Sequence, residues 1–166
     1  MTNFLLGGVL AVLMRLKYHN YWNLAKEAKR KSGFLEKLRR YYLDSRGCFI
    51  GKGTFFASNP ILPHGFHGIH ISSGAKIGHA VVIFQNVTIG SNTLKDSKNI
   101  GAPTIGNNVY IGAGAAIIGK VQIGDNCRIG ANCVVVKDMP ANTVAVIGDI
   151  KFIHKDYPLD NEFIPW

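Results

Sequence analysis

Residues 104–135 read TIGNNVYIGAGAAIIGKVQIGDNCRIGANCVV, and an aliphatic side chain returns at every sixth place: Ile105, Ile111, Ile117, Ile123, Ile129 and Val135. The same beat runs earlier through Ile71, Ile77, Ile83 and Ile89. Four places after most of these stands a small or slim residue: Ala75, Val81, Val87, Thr93, Val109, Ala115, Val121, Cys127 and Cys133. Glycine follows the aliphatic residue at Gly78, Gly90, Gly106, Gly112, Gly124 and Gly130. A unit of six is too short for a helix, so each hexad supplies one short strand and a turn. The aliphatic residue points inward and the small one fits where the interior narrows. Asn107, Asn108, Asp125, Asn126 and Asn132 suit the turns, because Asn and Asp tolerate left-handed backbone angles. One hexad cannot bury itself, so the predicted fold is an all-β solenoid whose stacked coils share one core. With three hexads to a coil, residues 47–150 hold about five or six coils, a prism roughly 25–30 Å tall at about 4.8 Å per stacked strand.

Between Ile89 and Ile105 the beat breaks. The step is not a multiple of six, so residues near 94–104, LKDSKNIGAPT, leave the register as a projecting polar loop. A loop thrown out of a regular solenoid is a place to look for function.

Outward from the repeats the composition narrows the function classes. The chain has 166 residues, 47% of them apolar, enough for one domain with a sizeable core. Its net charge of +9 is unevenly spread. Residues 1–46 hold ten Lys and Arg against three Asp and Glu, whereas the remainder is nearly neutral. That distribution argues against a nucleic-acid-binding body and leaves a basic arm suited to phosphates or anionic lipid. Three cysteines with no CxxC pair give neither a disulfide framework nor a zinc knuckle, and point to a reducing compartment. The apolar stretch Phe4–Met14 is too short to span a bilayer and lacks the features of a secretory signal. A cytoplasmic protein, touching a membrane at most from its inner face, is the expectation.

The run of aliphatic-Gly-x-x-small hexads resembles the hexapeptide-repeat acyltransferases, which fold as left-handed parallel β-helices and form trimers. Within that superfamily, LPHGFHGIHISSGAKIG at residues 62–78, QNVTIG at 85–90 and GAPTIGNNVYIGAGAAIIGKVQIG at 101–124 resemble the branch of serine acetyltransferases and capsular-polysaccharide O-acetyltransferases. The resemblance implies acetyl-CoA as co-substrate and places His64 on the family's catalytic histidine, with His67 as its competitor. It implies that backbone groups at Ala113 and Ala131 hold the pantetheine arm, and it offers Lys137 for the CoA phosphates. Lys95 and Asp96 of the projecting loop are the candidate acceptor-binding residues.

Three departures steer the expected acceptor. The aspartate that precedes the histidine in serine acetyltransferases is Pro63 here, their Arg-His-Pro is Gly101-Ala102-Pro103, and their glutamate falls in the Ser72–Ser73 region. With those serine-binding groups missing, the expectation is transfer to a hydroxyl of a saccharide, with serine O-acetyltransfer in cysteine biosynthesis as the alternative. A solenoid scaffold with no catalysis is the reading from another class.

The chemistry follows from the residue types. An alcohol attacks a thioester only as its proton is removed, and a histidine with an ordinary pKa near 6.5 suits that task. Cys127 and Cys133 fall on the inward small position and read as core, and Cys48 as structural. His64, His67, His70 and His79 lie within 16 residues, yet no second histidine cluster completes a metal site, so no metal is expected. His70 and His79 read as surface or interface residues.

The sequence divides into a basic helical arm (1–46), a solenoid domain (47–153) and a tail (154–166). In the arm, Tyr18, Tyr21, Trp22, Ala25 and Ala28, then Phe34, Leu35, Leu38, Tyr41 and Tyr42, keep helical spacing, with a break at Ser32-Gly33. Lysines and arginines crowd the rest. Two readings stand: an arm resting on anionic lipid, or helices that cap the open end of the solenoid.

Overall fold

The computed structural model describes residues 2–15, 20–30 and 33–148. His19, His154, the tail and the last residues of the predicted solenoid domain lie outside the described residues.

Three helices come first: α1 (Thr2–Leu13), α2 (Tyr21–Arg30) and α3 (Phe34–Asp44). Among the described residues thirteen short strands follow, every pair of them parallel, on three faces of a prism. The first face stacks β1 (Phe49–Ile50), β3 (His70–Ile71), β6 (Thr88–Gly90), β9 (Ala116–Ile118) and β12 (Val134–Val135). The second stacks β2 (Phe55–Phe56), β4 (Lys76–Ile77), β7 (Thr104–Ile105) and β10 (Gln122–Ile123), and Met139 extends it by an isolated bridge. The third stacks β5 (Val82–Ile83), β8 (Tyr110–Ile111), β11 (Arg128–Ile129) and β13 (Val144–Ala145), with Ile61 bridged to Val82 at its start. Five coils result, stacked as a parallel β-helix.

The register explains the periodicity. Ile50, Ile71, Ile89, Ile117 and Val135 are stacked partners on the first face, and all five are buried. The small residues Ala75, Val81, Val87, Val109, Ala115, Val121, Cys127 and Cys133 line the corners and are buried too. Thr93 is the exception. It is exposed, because the chain has already left the coil, and the buried Pro103 takes its corner instead. The Pro103 carbonyl accepts the Lys76 amide as the Ala75 carbonyl accepts that of Phe55, one coil earlier.

The corner between the second and third faces is closed by its own polar side chains. Asn108, Asn126 and Asn142 take positive φ, 52°, 59° and 61°. Their amides chain along the prism, Asn108 Nδ2 donating to Asn126 Oδ1 at 2.9 Å and Asn126 Nδ2 to Asn142 Oδ1 at 3.0 Å. Asn107 and Asp125 do not adopt the left-handed angle expected of them. They accept backbone amides of neighbouring coils, Asp125 Oδ1 that of Asn107 at 2.6 Å and Asn107 Oδ1 that of His79 at 2.8 Å.

α2 and α3 cover the first coil. Tyr21, Leu43 and Cys48 join the solenoid core, and Leu24, Leu38 and Leu10 form a second core between the helices. Buried Arg39 fastens the two parts. It donates from Nε and Nη2 to Glu36 at 2.8 and 2.7 Å, and from Nη1 to the Tyr21 hydroxyl at 3.1 Å and the Ile50 carbonyl at 3.0 Å. The hydrogen bond from Arg39 holds the Glu36 carboxyl below its ordinary range, and burial pushes the Tyr21 hydroxyl up. α2 and α3 are thus packed on the first coil of the solenoid.

Candidate active site

His64 owes its position to an irregularity in the stacking. The first coil is matched to the second at an offset of 21 residues, Phe49 with His70 and Ile61 with Val82, whereas His70 matches Thr88 at 18. The surplus of three residues lies in the corner between the third and first faces, residues 62–69, and it pushes His64 out of the row. Gly65 and Gly68 flank the bend with φ of 68° and 66°. At Gly68 a Cβ would run into the Asn86 side-chain oxygen, so the turn requires glycine there.

Between those glycines, Phe66 turns inward and is buried against Tyr21, Trp22 and Tyr42, with ring centroids 4.7, 5.7 and 5.8 Å away. The helical cap therefore anchors the histidine turn. Phe66 carries no reactive group, and the sequence reading passed over it; its place between two histidines and two glycines was the available signal.

The His64 side chain lies along the prism edge toward the next coil. Its Nδ1 is 2.6 Å from Gln85 Oε1, and its ring stands edge-on to Phe84 with centroids 5.3 Å apart. Phe84 in turn contacts Tyr110 at 5.1 Å. With the Gln85 amide oxygen as acceptor, Nδ1 is the donor nitrogen of a neutral imidazole and Nε2 the acceptor. Gln85 is a second residue that sequence reasoning missed. It lies 21 positions from His64, and only the irregular coil brings them together.

The other candidates fall on two corners. The Asn86 amide donates to the His67 carbonyl at 2.9 Å, the Gly114 amide to Gln85 at 3.0 Å and the Asn132 amide to Ala113 at 2.8 Å. His67, Gln85, Ala113 and Ala131 consequently occupy one row on the edge that carries His64. Lys95, Asp96 and Lys137 do not join them. The loop leaves from the corner between the first and second faces, through a neck where Asn92 and Gly101 exchange backbone hydrogen bonds at 2.9 Å. It folds down over later coils, with the Lys120 amide donating to the Asn99 carbonyl at 3.1 Å and Asn99 Nδ2 to the Val136 carbonyl at 3.2 Å. Lys95 and Asp96 are exposed on this loop, and Lys137 is exposed at the same corner. Within one chain, the first face separates them from His64.

His70 Nδ1 lies 3.0 Å from the Gly68 carbonyl, and His79 sits at the corner between the second and third faces. Among the described residues, no three His, Cys, Asp or Glu side chains converge as metal ligands. Cys48, Cys127 and Cys133 are free and buried, and burial pushes the Cys48 thiol up to about 11. A thiol so raised is a poor nucleophile near neutrality.

Comparison with known proteins bears on both fold and acceptor. Residues 102–137 match the bacterial transferase hexapeptide family model (six repeats). A serine acetyltransferase of Helicobacter pylori is 39% identical over 110 residues, 66% of this chain and 59% of the relative. Another, from Synechococcus elongatus, is 36% identical over 123 residues, 72% of this chain and 47% of the relative. Among solved structures, Entamoeba histolytica serine acetyltransferase isoform 3 in complex with cysteine has a TM-score of 0.67 at 27% identity, covering 87% of this chain and 53% of that one. Neisseria gonorrhoeae serine acetyltransferase in complex with serine scores 0.65 at 26% identity, covering 84% and 59%. The chain spans under two thirds of the length of each.

These relatives overturn the saccharide acceptor. The expectation leaned on losses at Pro63 and Ala102, and the structure weakens the first as evidence. The partner of His64 comes from the next coil, as Gln85, and not from the residue before it. Gly101–Pro103 forms the root of the loop, where Pro103, the one residue shared with Arg-His-Pro, fills a core corner. Hexads in phase over five coils, the matched hexapeptide family model and the serine acetyltransferases among its relatives make this chain similar to the hexapeptide-repeat transferases.

Proposed function

We propose that this chain is an acetyl-CoA-dependent serine O-acetyltransferase, with His64 as general base. The observation that carries the reading is the His64–Gln85 pair, set on the edge that carries Ala113 and Ala131 in a chain whose relatives include serine acetyltransferases. Acetyl-CoA supplies a thioester carbonyl. His64 Nε2 takes the serine hydroxyl proton as the oxygen attacks that carbonyl, and the imidazolium returns the proton to the departing thiolate. Gln85 holds the ring but brings no negative charge to the imidazolium, so its help is orientation alone. Ala113 and Ala131 leave room for the pantetheine arm to approach the backbone along the same edge.

His67 is the second candidate base. It is exposed, one turn from His64, and lies in the row rather than outside it. The third face carries exposed Ile61, Tyr110 and Val144, which suit burial between copies of the chain in a homotrimer. Such an assembly offers a way for Lys95 and Asp96 of one copy to reach the histidine edge of another. The reaction belongs in the cytoplasm, which supplies acetyl-CoA and keeps buried thiols reduced.

Release of CoA thiol from acetyl-CoA on addition of L-serine, with O-acetylserine identified by mass spectrometry, tests the reading. A folded protein that releases no thiol with serine removes it. Activity that survives His64→Ala but not His67→Ala transfers the role of base to His67.

A further inference from the structure

Helix α1, TNFLLGGVLAVL, contains no charged residue, and a helix apolar on every side is stable only when every side is covered. Only one side is. Leu10 is buried beside Leu38 of α3, and Gly7 lies so near Tyr41 that a Cβ would stand 2.9 Å from its hydroxyl. On the opposite side Leu5, Val9 and Val12, spaced four and three apart, are 65%, 39% and 55% exposed. Gly8 and Ala11 are exposed as well, and Arg15 is the first charge after the helix.

We infer that α1 docks the protein on an anionic lipid surface, lying in its plane with Leu5, Val9 and Val12 in the acyl boundary. Twelve residues of helix measure about 18 Å, against about 30 Å of hydrocarbon, so this helix rests on a membrane and does not cross it. An interfacial helix ordinarily keeps a polar face toward water. Here α3 occupies that side and holds the apolar face outward.

Charge selects the occupant. The arm of residues 1–46 carries ten Lys and Arg against three Asp and Glu, and Glu36 is already paired with Arg39. Arg15, Lys26, Lys37 and Arg40 are exposed. Anionic headgroups attract such an arm, whereas a second copy seated on the same face brings an equally basic arm against the first. The inference does not rest on acetyl transfer, and its test reads lipid binding.

The three native cysteines are buried, so a Val12→Cys variant of the full chain takes an environment-sensitive fluorophore at one place. Vesicles of equal phosphatidylcholine and phosphatidylglycerol should shift its emission to the blue and sediment the protein, and phosphatidylcholine alone should do neither. Leu5→Ser, Val9→Ser and Val12→Ser together should weaken sedimentation about tenfold or more, with unchanged helicity. Absence of binding to the phosphatidylglycerol vesicles overturns the inference. So does a fall in solution mass on making the triple variant, since that assigns the face to a second copy.

Discussion

Two edges of the same prism are built from the same hexads and put to opposite uses. Where the second face meets the third, Asn108, Asn126 and Asn142 bond to one another and Asp125 and Asn107 bond the neighbouring backbone. Side-chain polarity on that edge is consumed by the coil itself. Where the third face meets the first, the row holds His67, Gln85, Ala113 and Ala131, and three surplus residues set His64 outside it. A repeat satisfied by its own side chains keeps the stack in register. A repeat that departs from its length frees a side chain for chemistry.

The largest effect should come from what anchors the irregular edge. Phe66→Ala empties an aromatic cluster and should cost about 3 kcal/mol or more of stability, read by denaturant unfolding, while also releasing the histidine turn. His64→Ala should lower kcat by about 10² or more with the melting temperature unchanged. A loss of stability of the kind expected for Phe66 would make His64 structural. On the regular edge the pattern reverses. Asn126→Ala removes two side-chain hydrogen bonds and puts alanine at φ of 59°, and should cost about 1–2 kcal/mol while serine-dependent turnover stays near wild type. A smaller change is expected at Gln85, where Ala leaves the imidazole unoriented and should reduce kcat about tenfold, with little effect on the KM for acetyl-CoA.

The smallest expected effect is one of pH, in the cap. The Glu36 carboxyl is held below its ordinary range chiefly by the hydrogen bond from Arg39. Its stabilising effect is therefore present above the unfolded carboxylate pKa of about 4.3, and is lost as pH falls through the lower folded value. Circular dichroism should show helix loosening in that acidic window before the strands yield. Glu36→Gln should remove the pH dependence there. Tyr21, raised by burial, sets the opposite limit: its contribution holds below about 10 and fades as pH rises through the folded value.

The core of the coil was legible because a hexad constrains the same positions many times over. Ile71 through Val135 read as inward, and they are. Thr93 misread because the count was carried one hexad into a loop that had already begun; Pro103 holds its corner. The histidine edge was half legible. His64 could be named from a local motif, but Gln85 reaches it only through an offset of 21 where 18 is the rule. Lys95, Asp96 and Lys137 were grouped with His64 by family likeness, and one chain places them on another corner. The acceptor was misjudged for a related reason: residues missing from their usual positions were taken as missing functions. In a stacked coil, a neighbour one level away can supply what the adjacent residue does not.

Arg39 was described as fastening the cap, and its bond to the Ile50 carbonyl bears on polymerisation as well. β1 is the outermost strand of the first face, with one edge paired to β3 and, among the described residues, only helices beyond it. An uncovered parallel edge is a template on which another solenoid end can add strands, as in fibre growth. The guanidinium takes the carbonyl that such an addition would use first, and it does so from a buried, doubly tethered position. Opening this cap by acid or by mutation would therefore do more than lower a melting temperature: it would turn the end of a finite coil into the start of a filament.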